Sequence, residues 1–322
     1  MNFDPNSAAK PDSGLFGLET DATSAWLHIL PVPWDATTSF GSGTEAAPDA
    51  ILKASHQIDT FDLESGLSYL DGIWMAPPNA DIKQFNKSAT KEKTLGNIKQ
   101  VNELSQHVMQ WVEAECLQLL NAQKKVGVLG GDHSVPLGLM KALANTHKNY
   151  GVLQIDAHAD FRKAYQGFTY SHASIMFNTL EEIPEITRCV QAGVRDFCKE
   201  EYDYIKNSPK RILTHFDKNI QKLETTDPLL EIFWKSCLEE LPETIYLSFD
   251  IDGLNPTLCP QTGTPVPGGF EWRHIHSLFS ILRQSKKKLI GFDLSEVGNH
   301  PWDANVGARI LYQICLLSKL LN

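Results

Sequence analysis

Gly151-Val152-Leu153-Gln154-Ile155-Asp156-Ala157-His158-Ala159-Asp160 is an apolar run that ends in alternating Asp, His and Asp. The run reads as a buried strand, and an extended chain puts every second side chain on one face. Two carboxylates and an imidazole then converge at the strand's mouth. Core packing has no use for such a group, but a divalent cation does. Ile245-Tyr246-Leu247-Ser248-Phe249 leads in the same way into Asp250-Ile251-Asp252, and Val126-Gly127-Val128-Leu129 leads into Gly130-Gly131-Asp132-His133-Ser134.

Around these runs, short β-type segments alternate with longer helical ones. Strands are predicted at 25–30 (ended by Pro31-Val32-Pro33), 126–130, 151–156, 189–194, 211–215, 245–250 and 289–294. Ile98, Val101, Leu104, Val108, Val112 and Leu117 recur near helical spacing, so an amphipathic helix is predicted over 95–123. Further helices are predicted at 137–144, after Pro136, and at 306–321, the latter substantially buried. The alternation implies an α/β fold, a three-layer αβα arrangement with a mostly parallel sheet covered on both faces. Ligands of such sheets bind at the carboxyl ends of the strands, where all three polar groups stand.

A chain of 322 residues with 42% hydrophobic content can bury one large core, and no linker divides it. Residues 15–322 are therefore expected to form one domain behind a polar, flexible tail of residues 1–14. The tail has no apolar segment of a signal peptide, and no run of 18 apolar residues occurs anywhere. A net charge of −10 without a basic stripe argues against a nucleic-acid partner. Six cysteines without zinc-type spacing read as buried thiols of a cytoplasmic protein.

His133, Asp156, His158, Asp160, Asp250 and Asp252 are the candidate metal ligands. Six donors exceed one closed zinc site and suit two divalent cations that share carboxylates. Imidazole and carboxylate point first to manganese, with cobalt, nickel or iron as alternatives. Four carboxylates balance two such ions. Asp132 reads as a turn residue. Paired metals make hydroxide available at neutral pH, so the chemistry is hydrolysis.

The three motifs together, with Thr262-Gly263-Thr264-Pro265-Val266-Pro267-Gly268-Gly269 after them, resemble the ureohydrolase family of arginase, agmatinase and their relatives. The resemblance runs from about Ile29 to the C-terminus. It implies an eight-stranded sheet and a two-manganese site that releases urea from a guanidino compound. By that likeness His133, Asp156, Asp160 and Asp250 hold one ion, and Asp156, His158, Asp250 and Asp252 the other. Glu296 matches the family glutamate that clamps the guanidinium fork, and His172 matches the histidine that shuttles a proton to the leaving amine. Asp160, His172 and Glu296 are thus the candidate catalytic residues; Glu296, Arg162 and His172 are the candidate substrate contacts. The family also implies a homo-oligomer, a trimer or hexamer.

The tail of the substrate is less defined. The segments 262–269 and 32–44 look more like agmatinase than arginase, and 161–169 departs from the arginase pattern. Segment 32–44 reads as a rim loop of the site. Arg162 and Lys163 would favour a carboxylate-tailed substrate, or Arg162 pairs with an Asp at a subunit contact or forms a salt bridge within its loop. The order of expectation is agmatine, then guanidinobutyrate or formiminoglutamate, then arginine. A metal-binding homologue without catalysis and a two-metal phosphoesterase are the readings from other classes.

Overall fold

The computed structural model describes residues 8–10, 12–67, 69–222 and 227–321. The chain runs β1 (Leu27–Val32), α1 (Ala47–Ser55), β2 (Ile73–Met75), α2 (Ala80–Thr94) and α3 (Ile98–Asn121). Next come β3 (Lys125–Gly130), α4 (Leu137–Ala144), β4 (Tyr150–Ile155), α5 (Ile175–Glu182) and β5 (Ile186–Val194). Then follow α6 (Lys199–Asn207), β6 (Ile212–Phe216), α7 (Asp217–Ile220) and α8 (Asp227–Glu239). β7 (Thr244–Asp250), α9 (Trp272–Gln284), β8 (Lys288–Ser295) and α10 (Pro301–Leu320) complete it.

All eight strands pair in parallel, in the order β2-β1-β3-β8-β7-β4-β5-β6. The four strands that feed polar motifs, β3, β8, β7 and β4, are therefore neighbours at the centre. Side-chain alternation divides the core between the two faces. On β7, Ile245, Leu247 and Phe249 pack with α8, α9 and α10, while Tyr246 packs with α3, α4 and α5. Burial on both faces explains why these strands read as unbroken apolar runs.

Some elements differ from their sequence expectations. The helix predicted over 95–123 is α3, which starts three residues later because Gly96, at φ +74°, separates it from α2, a helix that was not anticipated. Pro31 does not end β1 but lies inside it. Leu27 N–H points to β2, and so would every second N–H after it; β2 pairs only with 27–29, so Pro31 faces an unpaired edge. β2 and the first turns of α10 were not anticipated. Of the expected tail, residues 1–7 and 11 lie outside the described residues. Among the described residues no helix is long and apolar enough to cross a membrane.

The loop after β1 becomes part of the site's wall, and Asp35 organises it. Its N–H and Oδ1 make a reciprocal pair with the Asn86 amide on α2, at 2.9 and 3.0 Å, and its Oδ2 accepts from Gly43 N at 2.7 Å. Lys93 of α2 donates to Thr38 O in the same loop. Burial, and then the Asp35 carboxylate beside it, pushes Glu45 up to about 7. The folded protein therefore binds this proton more tightly than the unfolded chain. Its contribution is full below the ordinary glutamate value and is lost as pH rises through about 7. Wild type should lose about 1 kcal/mol relative to Glu45→Gln between pH 5 and 8, the shift being discounted for the partial exposure of this carboxylate, measured by urea denaturation. Parallel stability profiles would contradict this assignment.

Candidate active site

Three central strands end in the same local device. The Oδ1 of Asp132, of Asp156 and of Asp250 each accepts from the backbone N–H two residues on, at 3.0, 2.6 and 2.9 Å. Such Asx turns curl the chain as it leaves the sheet. The polar residues therefore do not converge by strand alternation, as the sequence suggested. Asp252 sits in a short 3-10 turn over Ile251–Gly253, and Asp160 has φ +56°. The turns, not the pleat, aim the side chains inward.

Among the described residues, two donor groups could each hold a cation: His133 with Asp156 and Asp250, and His158 with Asp156 and Asp252. Within each group the donor atoms lie within 4.8 Å of one another, and Asp156 belongs to both. Nδ1 of His133 is 3.0 Å from Asp156 Oδ2, 3.0 Å from Asp160 Oδ2 and 3.2 Å from Asp250 Oδ2. Nδ1 of His158 is 3.0 Å from Asp252 Oδ2 and 3.6 Å from Asp156 Oδ1. One ring nitrogen carries at most one N–H, which cannot serve three carboxylates. A divalent cation can, so the donor set fits one.

The electrostatics point the same way. Burial, then the charge of Asp156, pushes Asp160 up to about 7. Asp250 is driven well above the carboxylate range by burial, then by Asp252 and Asp156. Asp156 moves oppositely: burial raises it, but hydrogen bonds with His133 and His158 outweigh that and hold it low. Burial lowers His133, yet its contacts to Asp156 and Asp160 raise it well above the ordinary imidazole value. Protons are thus drawn into the cluster to balance its charge, and metal ions would take their place. On the far side of the ring, His133 Nε2 is 2.9 Å from Ser248 Oγ. An Nε2–H donated there leaves the Nδ1 lone pair facing the carboxylates, the orientation a cation needs.

Glu296 follows β8 with φ +61°. Its Oε1 accepts from His133 N at 3.1 Å and lies 3.3 Å from His172 Nδ1. Its buried Oε2 has no partner among the described residues. A side chain at Gly263 would put its Cβ 2.9 Å from that oxygen, so glycine is what fits against it. His172 Nε2 is 3.2 Å from Ser39 Oγ. Burial lowers this imidazole's pKa, but the contact to Glu296 more than compensates and raises it.

A cleft of about 250 Å³ opens above, walled by His158, Asp160, His172, Arg162, Ser39 and Thr264. Ser39 places the loop after β1 at the rim, as its glycine-rich sequence suggested. Arg162 stacks on Tyr165, 4.5 Å from the ring centre, and its Nε lies 3.6 Å from Glu201 Oε2. Its charge is therefore matched inside the protein, while Lys163 is exposed and outside the cleft. Asp132 behaves as a turn residue, since Thr37 Oγ1 donates to its Oδ2 at 2.6 Å.

Several lining residues were not read from the sequence. Glu201 receives Phe161 N at 3.0 Å and Cys198 N at 2.8 Å, tying the Asp160 segment to the start of α6. Its signal was Cys198-Lys199-Glu200-Glu201, a glutamate at the third helical position. Arg195 and Asp196 stand just past β5, where a charged pair at a strand's carboxyl end deserved the same reading as the other motifs.

A sequence model of the Arginase family matches residues 25–316. The chain belongs to the arginase family. It is 33% identical over 311 residues to an N(1)-aminopropylagmatine ureohydrolase of Thermus thermophilus, covering 95% of each chain. It is 30% identical over 300 residues to the protein of that name from Synechocystis, covering 87% of this chain and 85% of that one. In fold it is similar to the proclavaminate amidino hydrolase of Streptomyces clavuligerus, with TM-score 0.78 and 21% identity over 98% of this chain and 100% of the other. Arginase-family enzymes are binuclear metal hydrolases of C–N bonds in amidines, and the two donor groups stand where this fold collects its ligands. A divalent cation should therefore stabilise the fold, by about 2.7 kcal/mol at a free concentration 100 times its dissociation constant. Thermal melting with and without the ion, after chelation and dialysis, checks this; an unchanged midpoint would contradict it.

Proposed function

We propose that this protein hydrolyses the guanidino group of an agmatine-type amine, releasing urea. The observation that carries the reading is the unpaired, buried Oε2 of Glu296 beside two cation-competent donor groups. A guanidinium is planar, always charged and offers paired N–H donors to a carboxylate. Glu296 is held by His133 N and so presents its free oxygen in a fixed position.

His133, Asp156, Asp160 and Asp250 would hold one ion, and Asp156, His158, Asp250 and Asp252 the other, with manganese the first choice for imidazole and carboxylate donors. Bound there, the ions supply hydroxide at neutral pH. His172 handles the other proton. The contact with Glu296 raises its pKa and so favours the protonated form, and Nε2, on the cleft wall beside Ser39, donates to the departing amine. Asp160 carries its role through the same wall, as a cluster carboxylate facing the cleft.

The tail of the substrate follows from charge. Glu201 and the Tyr165 ring occupy Arg162, so Arg162 is a wall of the tail's channel more than a free anion receptor. Asp196 at the mouth has an exposed carboxylate. A cationic tail suits this lining better than a carboxylate one. Agmatine and its N(1)-aminopropyl derivative, the compound in the names of two relatives, both have such a tail. The same reading takes residues 15–322 as one domain that works in the cytoplasm as a homo-oligomer.

Urea release should be fastest from agmatine or N(1)-aminopropylagmatine, with guanidinobutyrate and arginine slower, and with little ammonia from formiminoglutamate. No turnover of any of them would sink the enzyme reading and favour a catalytically silent homologue. His172→Ala should lower kcat by roughly 10²–10⁴-fold with bound metal unchanged. Unaltered turnover would remove His172 from the mechanism.

A further inference from the structure

Arg195 stands directly after β5, next to the acidic cluster, yet forms no ion pair with a carboxylate among the described residues. Its guanidinium instead donates to five backbone carbonyls. Nη2 reaches Asp252 O at 2.7 Å, Leu254 O at 3.1 Å and Val266 O at 3.1 Å. Nη1 reaches Gly193 O at 3.1 Å and Gly253 O at 3.4 Å, and Nε reaches Val266 O at 3.2 Å. The site makes room for this fork: a Cβ on Gly269 would lie 2.8 Å from Nη2.

The backbone of the same residue grips a different segment. Arg195 N and Asp196 N both donate to Ala157 O, at 2.8 and 3.0 Å. Ala157 lies between Asp156 and His158, and its own N–H donates to Asp252 Oδ1 at 3.0 Å. One residue thus holds both chain segments of the donor group formed by Asp156, His158 and Asp252. The group formed by His133, Asp156 and Asp250 meets these contacts only at Asp156 and at Asp250 Oδ1, which accepts from Asp252 N, and its His133 is untouched by them.

We propose that Arg195 is the positioning residue of the second cation group, fixing the turn that carries Asp252 against the segment 156–158. Its fork also pins Val266, which lines the cleft, to the same turn. Arginine serves here because it is planar and spreads five donors, whereas a lysine reaches fewer carbonyls at once. Its charge, unspent on a partner, adds to the balance of the neighbouring carboxylates.

This rests on the reading that the two donor groups hold cations, and the test separates the two. Metal-free wild type and Arg195→Lys are titrated with manganese(II) by calorimetry, with the melting temperature of the metal-free proteins as a check of fold. Wild type should bind two ions per chain. The variant should bind the tighter ion within about twofold of wild type and the other at least about tenfold more weakly. Arg195→Gln should show the same selective loss and replaces the lysine variant if that one does not fold. A merely structural role would weaken both ions together. Equal weakening of both, or wild-type affinity for both in either variant, overturns the proposal. Fewer than two ions bound by wild type overturns the two-cation reading itself, and the proposal with it.

Discussion

Four aspartates and two histidines are brought to one place at the centre of a parallel sheet, and all four aspartates are buried. Removing a carboxylate from water costs several kcal/mol unless opposite charge or hydrogen bonds meet it. Asp160 and Asp250 show that cost directly, since each resists ionisation, while Asp156 escapes it through two imidazoles. The fold can keep such a cluster only if positive charge enters it. Two divalent ions would supply that charge and, with it, the means of hydrolysis.

Much of the surrounding structure serves this constraint. The order β3-β8-β7-β4 makes the four motif-bearing strands adjacent, so their carboxyl ends open on one cleft. Asx turns then bend the exits of β3, β4 and β7 inward. Ser248 orients the His133 ring, Glu201 ties the Asp160 segment to α6, and Arg195 joins the exits of β4, β5 and β7. Glu296 keeps a buried oxygen, Oε2, without a partner among the described residues. Its other oxygen, Oε1, lies 3.3 Å from Nδ1 of His172, so one carboxylate joins the unpaired oxygen to a titrating imidazole.

The sequence disclosed the strands that are buried on both faces, because 126–130, 151–156, 245–250 and 289–294 are continuous apolar runs. It did not disclose β2, whose three residues at the sheet edge leave no pattern, nor α2, which ends at Thr94 just before the helix that the spacing of 98–117 marks. In the site, the chemical types and their order along the chain were legible, and all nine candidate residues lie at or beside the cleft. The reason first given for their convergence was not the right one. Alternation along a strand cannot describe residues that lie past the strand's end, where side chains accepting backbone N–H groups set the path. Glu201 and Arg195 each left a local mark, a glutamate at the third helical position and a charged residue at a strand's carboxyl end, but both act mainly through the backbone of other segments, and a single sequence does not name those partners. The match of Arg162 with Glu201, 39 positions apart, was likewise invisible, and with it the charge of the tail channel.

The central claim is that one cluster holds two cations that share Asp156. Crystals grown with manganese(II) and measured at the manganese absorption edge test it most directly. The account expects two anomalous peaks at the carboxyl ends of β3, β4 and β7, about 3.5–4 Å apart, with Asp156 contacting both. A single peak, or two that share no carboxylate, would contradict it.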